Sequence, residues 1–330
     1  MLASLAASML PDAPIYVAGH RGLVGSAILR RLEACRYTNL LTRSRAELDL
    51  TDAGAVFGFF ERHRPEFVFL AAARVGGILA NATYPGDFIR ENLAIQSNVM
   101  EAARRAGVRR LLFLGSSCIY PRDCPQPIQE EYLLTGALES TNRAYAVAKI
   151  AGIEVCRSYN QQYGTGYLSV MPTNLYGPGD NFDLQTSHVL PALIRKVHEA
   201  RLEGRASITV WGTGTPRREF LYSEDLADAV VFLMNLPDAA FQDACRLDPP
   251  LLNIGCGEDL TIRELVDLVM ETVGYRGSVV YDSSKPDGTP RKLLDVSRMR
   301  RLGWSPRTPL RAGLALFYRA FLEEHVNAGA

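Results

Sequence analysis

The chain has 330 residues, 47% of them hydrophobic, and its 36 Lys and Arg are matched by 36 Asp and Glu. That apolar fraction rules out a disordered chain and supplies a core for one large or two modest domains. Balanced charge leaves no basic field for nucleic acid, although local Arg clusters can still hold small anions.

Residues 1–10 are uncharged and apolar, but they lack a basic n-region and are too short to span a bilayer. Met9 is an alternative start to Met1. Ala13 to Ala18 reads as a short strand, followed by Gly19-His20-Arg21-Gly22-Leu23-Val24-Gly25 and an apolar helix through Leu32. Strand, glycine-rich turn and helix in that order form the first half of a βαβ unit. Its glycines let backbone N–H groups approach a pyrophosphate at the helix N-terminus, so a dinucleotide is expected here rather than an ordinary tight turn. A second strand, about Asn39 to Thr42, ends in Arg43-Ser44-Arg45. An NAD-selective site usually places an Asp or Glu there for the ribose 2′-OH. Arg43, Arg45 and the loop residue Arg21 instead offer guanidinium groups to a phosphate, which favours NADP(H). Asp49-Leu50 suits the adenine edge or a helix cap.

Phe67 to Ala71 is a continuous apolar run, as a strand buried on both faces requires, and Ala71-Ala72-Ala73 keeps the following backbone approachable. Asn92 to Ala106 reads as a helix, Arg110 to Gly115 as a fourth strand, Ala144 to Tyr163 as a helix and Tyr167 to Met171 as a fifth strand. This alternation predicts an α/β fold with a doubly wound parallel sheet. Beyond Pro172, helices near 189–203 and 260–273 flank a strand at Ser207 to Trp211. A helix at Glu224 to Leu236 and a strand–loop at Leu252 to Gly257 suit the first domain. The expected division is a Rossmann domain of residues 1–175 plus about 219–257, and a smaller, interleaved substrate domain of about 176–218 plus 258–330. No segment is long and apolar enough for a membrane. The six cysteines (35, 118, 124, 156, 245, 256) show neither C-x-x-C nor zinc spacing. No metal site is expected, and reduced thiols fit a cytoplasmic protein.

Tyr145 and Lys149 stand four apart in an alanine-rich helical run, which puts both on one face. An ammonium beside a phenol favours the phenolate and draws its pKa down from about 10. The fourth strand runs into Ser116-Ser117-Cys118, at the carboxyl end where open parallel sheets bind their ligands. Cys118 can serve as thiolate or thiol. His188, the only histidine in a polar, loop-like setting in the second half, is the natural partner acid. The plain alternatives are a buried inert thiol for Cys118 and a helix N-terminal cap for His188.

With the glycine loop, the serines, Tyr145 and Lys149 together, the chain resembles the extended short-chain dehydrogenase/reductase family over nearly its full length. The resemblance continues in Leu114 to Pro121, Asn142 to Gly152, Met171 to Pro178, Asn181-Phe182, Ser187-His188-Val189, Trp211 to Gly214 and Pro286 to Lys292. These blocks are similar to those of the family's nucleotide-sugar 3,5-epimerase/4-reductases. The resemblance implies that Ser116 or Ser117 hydrogen-bonds the substrate oxygen, that Tyr145 transfers a proton, and that Lys149 lowers the tyrosine pKa and holds the nicotinamide ribose. It implies Cys118 as base and His188 as acid for inversions at C3 and C5 of GDP-4-keto-6-deoxy-mannose, followed by hydride delivery from NADPH to C4. It further implies cofactor contacts from Leu114, Pro172, Asn174, Leu175 and His188, and sugar-nucleotide contacts from Lys196, Trp211, Arg218 and Asp287. A homodimer paired through the helices at 92–106 and 144–163 is also implied. Ordinary alternatives are a solvated helix face for Lys196, core packing for Trp211 and a turn before Gly288 for Asp287. A 4,6-dehydratase of this family carries an acidic pair where Ser117-Cys118 stands, and a UDP-sugar 4-epimerase keeps NAD, against the arginines. A non-catalytic NADP sensor would be expected to lose Tyr145 or Lys149, and both are present.

Overall fold

The computed structural model describes residues 9–184, 186–285 and 287–325; the apolar stretch before Met9 and Pro286 of the 286–292 block lie outside the described residues. The first half alternates as β1 (Ile15–Ala18), α1 (Leu23–Ala34), β2 (Leu40–Leu41), α2 (Ala53–His63), β3 (Phe67–Leu70), α3 (Ile78–Thr83), α4 (Pro85–Ala106), β4 (Arg110–Leu114), α5 (Arg143–Tyr163) and β5 (Tyr167–Pro172). The second half adds β6 (Asn174–Tyr176), α6 (Val189–Leu202), β7 (Ser207–Trp211), β8 (Arg217–Arg218), β9 (Phe220–Tyr222), α7 (Ser223–Met234), α8 (Asp238–Cys245) and β10 (Leu251–Ile254). It closes with β11 (Leu260–Thr261), α9 (Ile262–Val273), β12 (Ser278–Asp282), β13 (Arg291–Lys292), α10 (Ser297–Leu302) and α11 (Leu310–His325).

A six-stranded sheet runs in the order β10-β5-β4-β3-β1-β2, every neighbour parallel. Strands β1, β3, β4, β5 and β10 are buried along their whole length, because helices cover both faces. On one face α1 and α7 pack beneath Ile28, Leu32, Leu226 and Val230; on the other α2, α4 and α5 close over Phe60, Val99 and Ile153. The fold is doubly wound. The chain leaves β1 toward β2 and returns to β3 on the other side, which puts the switch in winding, and the crevice it opens, between β1 and β3. A third core of Phe182, Ile194, Val266 and Phe317 lies among α6, α9 and α11, beside the pair β12–β7 and the small sheet β11-β8-β13.

Local chemistry explains where the elements differ from the sequence pattern. Helix α2 carries Gly54 and Gly58, which weaken it, and is started by Asp52, whose carboxylate accepts the Ala55 N–H at 3.0 Å. Asp49 is not the cap: its Oδ1 accepts the N–H and hydroxyl of Thr51 at 2.9 and 2.8 Å in a local turn. Helix α4 begins at Pro85 rather than Asn92, because a proline at the first helical position is preset for the helix. Strand β2 is cut to two residues. Glycines in the left-handed conformation, Gly107 and Gly164, end α4 and α5.

Candidate active site

The crevice is built first by close backbone packing. Gly19 has φ +85°, and a Cβ there would lie 2.7 Å from the Ala72 nitrogen; one on Gly25 would lie 2.0 Å from the Gly19 carbonyl oxygen. Only glycine lets the turn after β1 close against both α1 and the Ala71–Ala72 backbone. The first turn of α1, Leu23 and Val24 included, therefore presents its N–H groups to the crevice, and Gly22 stands at the cap without any side-chain bond to those groups. This arrangement fits a dinucleotide pyrophosphate.

At the end of β2, Arg43 donates to the Thr42 carbonyl at 2.7 Å and lies over the Phe59 ring, beside His63. Arg21 and Arg43 both act on the carboxylate of Glu47, whose pKa is lowered chiefly by hydrogen bonds from Ser44, and Arg21 lies near His20. Arg45 is separate from this group: it points toward Glu91 at 3.7 Å. The sequence grouped three arginines, and the structure gathers two.

The reactive groups lie at the carboxyl end of β4. Ser116 heads a short 3-10 turn holding Ser117 and Cys118, and its Oγ accepts the Cys118 N–H at 3.5 Å. The Ser116 side chain and Cys118 both lie close enough to the Tyr145 phenol to act on its pKa, Cys118 raising it and Ser116 lowering it. Lys149, 3% exposed, donates to the Leu114 carbonyl at 2.8 Å, and its Nζ stands 4.8 Å from the Phe113 ring centre and 5.7 Å from that of Tyr145. Burial lowers its pKa to about 8. The expectation for Tyr145 needs correction. Burial pushes its phenol above the ordinary value, and the Lys149 ammonium, engaged by a carbonyl, does not reverse this. That direction favours the protonated phenol.

Cys118 is 7% exposed, and burial raises its thiol, opposed first by Lys292, then by the Ser116 hydrogen bond and Lys149. His188 occupies the cap position of α6, yet its side chain makes no capping bond. The residue is exposed to solvent, while the protein around its ring and then Lys292 lower its pKa. Pro172 ends β5, and β6 carries Asn174, which donates to the Glu219 carbonyl at 2.8 Å, and Leu175.

The four residues associated with the sugar nucleotide converge around the end of β7. Trp211 is 65% exposed, so it is not core. Lys196 reaches from α6 to the Thr209 carbonyl at 2.8 Å. Asp287 accepts the N–H and hydroxyl of Thr213 at 2.7 and 2.8 Å, and its charge reaches Arg218 on β8. Burial lowers the pKa of both Lys196 and Arg218, as for cations drawn into a cleft. Sequence reasoning assigned no role to Lys292 or Asn142, which line a cavity with Cys118. Both stood inside recognised blocks, but the approach of β13 to the Cys118 turn has no local signature.

A glycine-cradled nucleotide crevice opening onto Ser, Tyr and Lys defines a nucleotide-dependent oxidoreductase of carbonyl compounds. Residues 15–255 match the NAD dependent epimerase/dehydratase family, and the chain belongs to it. It is 54% identical over 325 residues to the probable GDP-L-fucose synthase 1 of Oryza sativa subsp. japonica, covering 98% of this chain and 96% of the rice protein. Identity is also 54% over 309 residues with the GDP-L-fucose synthase of Escherichia coli strain K12, covering 94% and 96%. Among solved structures, a GDP-L-fucose synthetase from Naegleria fowleri bound to NADP aligns with a TM-score of 0.85 at 29% identity, over 96% of this chain and 95% of that one.

Proposed function

We propose that the chain converts GDP-4-keto-6-deoxy-D-mannose to GDP-L-fucose, by epimerisation at C3 and C5 and NADPH-dependent reduction at C4. The observation that carries this reading is the Ser116–Cys118 turn, in which Ser116 Oγ takes the Cys118 N–H and both side chains lie near the Tyr145 phenol. This turn thus places a proton donor suited to a C4 oxygen near a thiol suited to the carbons beside it. A 4-ketone acidifies the hydrogens at C3 and C5; Cys118 removes a proton from one face and His188 returns one to the other. Ser116 and Ser117 hold the ketone oxygen, Tyr145 protonates it during reduction, and Lys149 binds the nicotinamide ribose. NADPH in the crevice supplies the hydride. The crevice residues are Gly19 to Gly25, Arg21 and Arg43 at the 2′-phosphate, and Leu114, Pro172, Asn174 and Leu175 toward the nicotinamide, with Arg45 at the rim. Lys196, Trp211, Arg218 and Asp287 take the GDP part.

The Rossmann unit in this reading comprises residues up to 175 with about 219–257, supported by β10 pairing with β5 and α7 packing on α1. The remainder holds the sugar nucleotide. We assign the protein to the cytoplasm, where its six free cysteines stay reduced, and to a homodimer through α4 and α5. Among the described residues no helix is long and apolar enough to cross a membrane.

The test is loss of NADPH absorbance with freshly made GDP-4-keto-6-deoxy-D-mannose, for wild type and Cys118→Ser. Wild-type turnover, with the variant impaired in exchanging C3 and C5 hydrogens for deuterium, is expected. NADPH binding without oxidation would refute the substrate assignment.

A further inference from the structure

Lys292 has no place in the machinery above. It ends β13, in register with Arg218 across on β8, and this pairing brings its side chain to a cavity of about 50 Å³ that it shares with Ser117, Cys118, Glu139 and Asn142. The charged and titratable groups facing Cys118 are Lys292 from β13 and Lys149 and Tyr145 from α5, with the Ser116 hydroxyl from its own turn. Lys292 in turn acts on His188 at the head of α6, and is acted on by Arg218 and Cys124. Lys149 and Arg218 are each already donating to a backbone carbonyl. Lys292 is half-buried, the protein around it lowers its pKa, and among the described residues no hydrogen bond holds its ammonium. An ammonium partly drawn from water is stabilised by an anion that meets it.

We propose that Lys292 is a positioning residue for the epimerisation, its ammonium holding Cys118 as the thiolate that removes the proton beside the ketone. The inference rests on the reaction proposed above. In that step the C–H bond breaks, an S–H bond forms and the electron pair passes into the carbonyl as an enolate. The N–H bond of a protonated His188 then breaks as a C–H bond forms on the opposite face. Lys292 links the two halves by charge. While Cys118 is a thiolate, it compensates the ammonium; once Cys118 is a thiol, the uncompensated ammonium repels the proton on His188 and favours its release to the carbanion. Burial raises the Cys118 thiol on balance, and Lys292 is the largest influence opposing that rise.

The test reads Cys118 without any sugar nucleotide: iodoacetamide alkylation of its peptide, followed by mass spectrometry across a pH series, for wild type, Lys292→Gln and Lys292→Arg. The half-titration point should rise by about one unit in Lys292→Gln, slowing alkylation about tenfold at neutral pH. Lys292→Arg should recover most of that loss. Deuterium exchange at C3 and C5 of the keto sugar should fall in parallel, with NADPH affinity unchanged. A Lys292→Gln profile overlying wild type, with only KM for the sugar nucleotide raised, would make Lys292 a substrate ligand and overturn the proposal. If Lys292→Gln shows no cooperative thermal transition, Lys292→Met, which keeps the aliphatic stem, takes its place under the same criteria. A shifted alkylation profile in a protein whose wild type exchanges no keto-sugar hydrogens would instead sink the proposed reaction, and the epimerisation role with it.

Discussion

Gly25→Ala should damage the nucleotide crevice by geometry alone. The added methyl would lie 2.0 Å from the Gly19 carbonyl oxygen, 2.5 Å from its carbon and 2.9 Å from the His20 Cα. Ordinary contact begins near 3.4 Å, so the turn must retreat by more than an ångström. All three obstacles are backbone atoms, and no rotamer change relieves them. The turn is pinned besides, since Gly22 N–H donates to the Gly19 carbonyl at 3.0 Å and Ser26 N–H to the Gly22 carbonyl at 2.9 Å. Overpacking of this kind costs about 1–3 kcal/mol, set against about 0.5–1 kcal/mol gained from alanine's helix propensity. Net destabilisation of about 0–2.5 kcal/mol follows, but the larger effect falls on binding, where an ångström of misalignment in the N–H groups should weaken NADPH about 10- to 100-fold. Gly58→Ala is the matched control. Gly58 also lies in a helix, α2, and a Cβ there meets nothing within 4 Å. It should stabilise the fold by about 0.5–1 kcal/mol and leave NADPH affinity alone. NADPH fluorescence titration and urea unfolding, run on both variants, separate the two effects. Binding by Gly25→Ala within about twofold of wild type would show that the crevice does not depend on this packing.

Tyr145→Phe should slow reduction by about 10²- to 10⁴-fold while deuterium exchange at C3 and C5 continues, because it removes the proton donor and leaves Cys118 and His188 in place; parallel loss of both activities would refute separate roles. Arg43→Ala should weaken NADPH by about tenfold or more with little effect on NADH, a ratio that a cofactor titration reads directly. Asp180 carries a buried Oδ2 without a partner among the described residues, and burial raises its pKa to about 7. The unfolded chain gives up this proton near pH 3.8, the folded chain only near 7, so stability falls as pH rises between those values. Asp180→Asn, whose side-chain oxygen can still accept the Asn181 N–H, should therefore gain about 1–2 kcal/mol over wild type at pH 8 and almost nothing at pH 4. Urea midpoints across that range check it, and a gain independent of pH would refute the carboxylate as its source.

What the sequence conveyed and what it withheld divide along the length of the interactions involved. The turn at Gly19 to Gly25, the Ser116–Cys118 turn and the Tyr145–Lys149 spacing each sit within one turn or one helix, so their chemistry follows from neighbours in the chain. The failures are all long-range or statistical. Strands β8, β11 and β13 have two residues each, too few to carry an alternating pattern, and so the Arg218–Lys292 register could be seen only in three dimensions. Arg43 and Arg45 are two apart, yet one stacks on Phe59 while the other turns to Glu91, a choice made by α2 and α4 rather than by β2. The Tyr145 phenol shows the same limit in its electrostatics. Spacing to Lys149 predicts a lowered pKa, but the Leu114 carbonyl holds the ammonium and burial dominates. The direction of that shift suits the proposed role: a phenol kept protonated can act as the acid of a ketone reduction, which leaves the proton removal proposed above to Cys118, where a second lysine stands.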